Sequence, residues 1–169
     1  MRIRPVLAAP AVCAAAAATL LTAPQSHAAG QPVPCTAAHL TVRAAADRAD
    51  TTLVRVRVTN HGSHACTVDR LPTVTFGNLD GSALPVPAGE SGPYRIGAGR
   101  TAYAAVRTVA NPADPEVRRA PSLSVSGERW GRTFTAARLG TGRAVRVWEP
   151  VTTWWKPSAA AADRALGVN

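Results

Sequence analysis

Between Leu53 and Thr59 the residues alternate strictly: Val54, Val56 and Val58 share one side, Arg55 and Arg57 the other. β-branched side chains at a period of two are what a half-buried pleated strand requires, because successive Cβ atoms leave opposite faces of a sheet. The run ends at Asn60-His61-Gly62-Ser63, residue types that readily take turn conformations. A strand with one dry face needs neighbours beside it and a second layer above it. That requirement shapes the reading of the whole chain.

Other segments repeat the pattern more briefly. Leu40, Val42 and Ala44 alternate with Thr41 and Arg43. Cys66–Arg70 and Thr73–Phe76 read as strand around a break at Pro72, and Asn78–Gly81 as a tight turn leading to Leu84 and Val86. After a proline- and glycine-rich loop come Tyr94–Ile96 and Thr101–Val109. The stretch Ala110–Pro121 carries three prolines, Pro112, Pro115 and Pro121, and reads as loop. Leu123–Ser126, Thr133–Ala136 and Val145–Trp148 complete the series, with the last open to continuation as far as Trp155. The tail alone has a helical signature: Ser158 as cap, an alanine-rich body and Gly167 as stop. At about nine residues it is marginal by itself, so a short helix and a disordered tail both remain open. Many short strands with turn signals every ~8–12 residues predict an all-β sandwich.

The N-terminus reads as an export leader. Arg2 and Arg4 precede an uncharged apolar run from Val6 to Leu21, and Ser26-His27-Ala28 offers small residues for cleavage after Ala28. The expected organisation is a signal peptide at 1–28, a lead-in at 29–34, a sandwich at 35–156 and a tail at 157–169. Without the leader the chain has about 140 residues, which suits one domain with a real core. No later apolar run approaches the ~18 residues of a membrane span. Cys13 lacks the flanking residues of a lipid-attachment site, and no wall-sorting signal is present. The expected address is therefore secreted, with loose cell-wall association as a variant.

Cys13 leaves with the leader, so Cys35 and Cys66 remain of three cysteines. In an oxidising compartment one disulfide is the simplest outcome, with free thiols acting as ligands or nucleophile as the alternative. Closing a loop of this size would stabilise the fold by about 3–4 kcal/mol on chain-entropy grounds.

The chain carries 19 basic and 10 acidic residues, a formal net charge of +9, and Lys156 is its one lysine. Two readings compete. The arginines could form a surface for an anionic envelope polymer, or they could reflect a GC-rich coding bias spread along the chain. Arg55 and Arg57, beside Arg43 of the neighbouring segment, are the best candidates for a basic stripe.

Cys35-Thr-Ala-Ala-His-Leu40 opens a longer pattern. The segment Leu53-Val-Arg-Val-Arg-Val-Thr-Asn60, His61-Gly-Ser-His-Ala-Cys66, Thr-Val-Asp-Arg-Leu-Pro72 resembles a domain family of unknown function found mostly in secreted and lipid-anchored proteins of actinobacteria. Gly99-Arg-Thr-Ala102 and Val145–Val151 extend the likeness. Two features depart from the family: Ala98 stands where a proline is usual, and a second cysteine pair seen in many members is missing. The resemblance implies an immunoglobulin-like antiparallel β-sandwich in a cell-envelope or extracellular setting. It implies no reaction.

Chemistry-bearing motifs are sparse. Gly89-Glu90-Ser91-Gly92 runs into Pro93 and fails the nucleophile-elbow pattern of hydrolases. His61 and His64 beside Cys66 are a weak candidate for zinc or copper, set against solvent-facing turn histidines. The four tryptophans, Trp130, Trp148, Trp154 and Trp155, lie in the C-terminal part. Trp148, Trp154 and Trp155 could stack on sugar rings, or they could pack the tail onto the sheet. Two adjacent tryptophans in an extended strand cannot both face inward. Nucleic-acid motifs are missing. The expected role is a non-catalytic adhesion or interaction module without cofactor. Its partner would be an anionic envelope polymer, a glycan or a secreted protein. Carbohydrate binding is the alternative, and a metal carrier or hydrolase ranks after both.

Overall fold

A computed structural model describes residues 33–89 and 91–168. The expected leader and residues 29–32 of the lead-in lie outside the described residues. After a single 3-10 turn at Ala37–His39, the elements are β1 (Leu40–Ala46), β2 (Leu53–Asn60), β3 (Cys66–Val68), β4 (Thr73–Phe76), β5 (Leu84–Val86) and β6 (Tyr94–Ile96). They continue with β7 (Thr101–Arg107), β8 (Arg118–Ala120), β9 (Ser122–Gly127), β10 (Trp130–Thr135), α1 (Ala136–Leu139), β11 (Val145–Val147), β12 (Val151–Thr153) and α2 (Ala159–Ala165). One sheet has the order β1-β2-β7-β12-β5, and a second has the order β10-β9-β4. The pairs β11-β8 and β3-β6 complete the framework.

The all-β sandwich is present, and β2 does what its alternation requires. Val54, Val56 and Val58 are buried, joined on the same face by Ala102, Ala104 and Val106 of β7. Val74, Phe76, Leu123, Val125 and Phe134 of the second sheet meet them in one core. Between the named strands pairing is antiparallel except for β12 and β5, which run parallel. Cys35 and Cys66 are joined, with their Cα atoms 4.9 Å apart across a sequence separation of 31. The bond lies beside a short ladder in which Cys35 N–H donates to Thr67 O at 2.8 Å and Thr67 N–H to Val33 O at 2.9 Å. The N-terminal segment is thereby fastened to β3.

The motif behind the family likeness has a structural explanation. Asn60 is buried at the end of β2. Its Nδ2 donates to the carbonyls of His64 at 2.9 Å, Ile96 at 3.2 Å and Gly97 at 3.2 Å, and its Oδ1 accepts from Gly62 N–H at 2.8 Å. One side chain thus ties the 61–65 turn to the end of β6. A Cβ on Gly62 would stand 3.0 Å from Asn60 Oδ1, which explains the glycine. Thr59 shares a 2.8 Å hydroxyl hydrogen bond with Thr101, its register partner on β7.

Four sequence expectations need correction. Residues Arg118–Ala120 form β8 inside the expected 110–121 loop, because Ala120 is needed in the core opposite Val145. Thr133–Ala136 is strand only to Thr135, whose hydroxyl caps α1 by accepting from Arg138 N–H, while Gly140 ends the helix at φ 87°. Val145–Trp148 does not run on to Trp155: Glu149 takes φ 43°, and the chain crosses from the β8 ladder to the large sheet. The outward face of β2 is not wholly wet. The tail is an ordered helix, α2, and it buries Ala162 against Leu53 and Ala105, with Tyr103, Leu166 and Val168 at the margin.

The tryptophan pair breaks the alternation rule through a bulge. Val151 and Thr152 pair with Arg107 and Val106, whereas Lys156 bridges to Tyr103. Three residues therefore span two positions of β7, and Thr153 Oγ1 accepts the Ala105 N–H at 3.0 Å. Trp154 and Trp155 are both buried as a result. Trp155 packs against Trp130 with ring centroids 6.2 Å apart, and among the described residues its indole N–H has no hydrogen-bond partner.

This packing can be tested through stability. Asn60→Ala should cost roughly 2–3 kcal/mol in chemical denaturation, because it strands carbonyls and an amide that lose their partner. Trp155→Ala should cost about 3–5 kcal/mol. Trp155→Phe should cost far less, since no indole hydrogen bond is lost.

Candidate functional site

β1 is an edge strand of the large sheet, and its register with β2 places Arg43 directly opposite Arg57. Arg57 in turn lies opposite Tyr103. Like charges facing each other across a ladder are destabilising, so the Arg43–Arg57 pair is not explained by folding. Both side chains are exposed.

A cleft of about 800 Å³ runs along β1 and reaches the second sheet. Its apolar wall comes from Leu40, Val42 and Ala44 of β1 together with Phe134 and the rim of Trp130. Arg43, Arg55 and Arg57 line one side, Arg132 of β10 and Arg138 of α1 the other. Among the described residues, no aspartate or glutamate lines it. Among the same residues, Arg43, Arg57, Arg132 and Arg138 make no ion pair.

Arg55 is different. Its Nη1 donates to Asp47, and its Nε donates to Asp163 at 3.0 and 3.1 Å. It clamps α2 and the β1–β2 turn to the sheet, so the cation expected to bind a ligand is already neutralised. The Arg55 hydrogen bond, with backbone N–H donors of Ala49 and Asp50, holds the Asp47 carboxyl at about 2, well below its ordinary value. The guanidinium is correspondingly harder to deprotonate, chiefly through Asp47.

The other candidate residues are dispersed. Trp154 is buried, its indole N–H donating to Pro87 O, and Trp155 lies in the core. Trp148 is half-buried, with its backbone N–H donating to Thr108 O at 2.9 Å. These three form no shared exposed platform, because the bulge turns the adjacent pair away from solvent. His61 and His64 are exposed turn residues, and Cys66 is taken up by the disulfide. Among the described residues no group of three potential metal ligands converges.

Sequence reasoning selected Arg43 and Arg57 correctly as neighbours, but it did not select Arg132 or Arg138. Only the packing of β10 and α1 beside β1 brings those two to the cleft. Arg132 is exposed although it shares strand parity with the buried Trp130 and Phe134, so local alternation gives no signal for it.

The sequence profile of a family described as a domain of unknown function, DUF4232, matches residues 35–155. The chain belongs to this family. No curated protein and no solved structure matches it. The DUF4232 span opens at the disulfide and closes on the core tryptophan, so it contains most of the cleft. Helix α2 and its Asp163 clamp lie beyond the matched span.

The clamp has a pH signature. Because the folded-state pKa of Asp47 is depressed, its stabilisation is present above about pH 4 and is lost as the pH falls toward about 2. Melting temperatures of wild type and Asp47→Asn should therefore differ most at neutral pH. Their difference should shrink between about pH 4 and pH 2.

Proposed function

We propose that this protein is a non-catalytic interaction module, exported to the cell envelope or the medium, that holds an anionic partner in the cleft beside β1. The observation that carries this reading is the set of four exposed arginines, from both sheets and α1, around one partly apolar cleft without a carboxylate among its described lining residues. Bringing like charges together has a cost in the free protein, and an anionic ligand offsets it. The leader supports the extracellular setting, as does the disulfide, which persists in oxidising compartments. A catalytic role has less support, since among the described residues no nucleophile–base pair or metal-ligand cluster lines the cleft. Sugar stacking by the C-terminal tryptophans is also disfavoured, because Trp154 and Trp155 are buried.

Retention on immobilised poly-L-glutamate and on isolated envelope fractions tests the reading. Binding should fall steeply with added salt, and Arg43→Ala/Arg57→Ala should weaken it by about tenfold or more. Arg119→Ala, on β8 away from the cleft, should have a much smaller effect. Equal loss in both variants would mean that net charge, rather than the cleft, does the binding.

A further inference from the structure

The two edges of the large sheet are unlike each other. β5 has three residues and a central proline, Pro85, which is how soluble sheets blunt an edge. β1 has seven residues, no proline, and an unbroken register with β2. Its pairing also shows which backbone groups are free among the described residues. His61 N–H donates to His39 O, and Asp47 N–H donates to Leu53 O. The odd-numbered residues of β1 therefore bond to β2, and Val42, Ala44 and Ala46 direct their N–H and C=O groups to the open edge. The cleft lies along this edge.

We infer that the occupant of the cleft is an extended acidic polypeptide that adds to the sheet as a strand beside β1. This deepens the reading of an anionic partner and rests on it. Main-chain hydrogen bonds to Val42 and Ala44 supply register, and alternate side chains supply specificity. On the core side the incoming strand meets Val42, Ala44 and Phe134, with Arg132 and Arg138 lining the same cleft. Every second residue is therefore apolar where it faces β1, and the arginines are left for carboxylates at the ends. On the outer side it meets Arg43 and Arg57, so the intervening residues are carboxylates. A second copy of this chain is a poor occupant. Arg43 is the middle residue of β1, and symmetric antiparallel pairing of two copies would set one Arg43 against the other.

The test uses the full exported chain and a blocked eight-residue peptide of alternating valine and glutamate. Titration calorimetry should show saturable binding, and exchanging glutamate for lysine should abolish it. N-methylation of the valine amides blocks one edge of the peptide, and N-methylation of the glutamate amides blocks the other. One of these should weaken binding by about tenfold or more while the other leaves it near its starting value, the valine series failing for antiparallel addition. Ala44→Pro, which alters one outward N–H and no charge, should reproduce the loss.

If both methylated peptides bind like the parent, strand addition is wrong. Retained loss in Arg43→Ala/Arg57→Ala would then leave a purely electrostatic cleft, filled equally well by a non-peptide polyanion. If neither the methylation nor the arginine substitutions matter, both readings fall. A concentration-dependent dimer in sedimentation that Ala44→Pro dissolves would identify a second copy as the occupant and overturn the proposal.

Discussion

Everything in this domain depends on β2 being covered on its core face and on part of its outward one. Its valines close the core between the sheets, and its outward face is divided along its length. At the Leu53 end, α2 seals the surface with Ala162 and the Asp163–Arg55 ion pair. Toward the Asn60 end, Arg57 is left open beside Arg43. The same strand is therefore half structural and half available. Lengthening the tail's cover by one turn toward Arg57 would bury the cations that distinguish the site.

The polar residues divide along the same line. Asn60 and Arg55 are fully engaged: one makes hydrogen bonds to three carbonyls and an amide, the other joins two carboxylates. Such groups hold the frame, since a buried or half-buried polar atom that loses its partner is costly. Arg43, Arg57, Arg132 and Arg138 stand outside these networks. Their mutual repulsion is tolerable because solvent screens it. Structural and proposed binding roles are thus separated residue by residue, although Arg43, Arg55 and Arg57 lie on neighbouring strands.

Much of the frame was legible in the chain because a period of two reports directly on which side chains are dry. β2 and the paired stripes of β1 and β7 lie where the alternation puts them. The errors have two causes. β8 is three residues with a single buried position, Ala120, too short for any periodicity to show. The Trp154–Trp155 pair misled because alternation assumes an unbroken ladder, and the bulge against β7 violates it. The candidate site was half visible: Arg43 and Arg57 are close through one hairpin, which local pattern can find.

By itself the sequence determined most of the strands, the cysteine pair and the Thr59-Asn60-x-Gly62 turn, because each is governed by side chains within a few residues of one another or by simple sulfur chemistry. Only the tertiary structure decided which arginines remain free and which sheet edge stays open. Arg55 is paired locally with Asp47, but its second carboxylate, Asp163, is brought in from the far end of the chain. The cleft requires β10 and α1 to arrive beside β1 from the other sheet. Charges separated this widely in sequence interact only after the layers have packed, so no local pattern can encode their relationship.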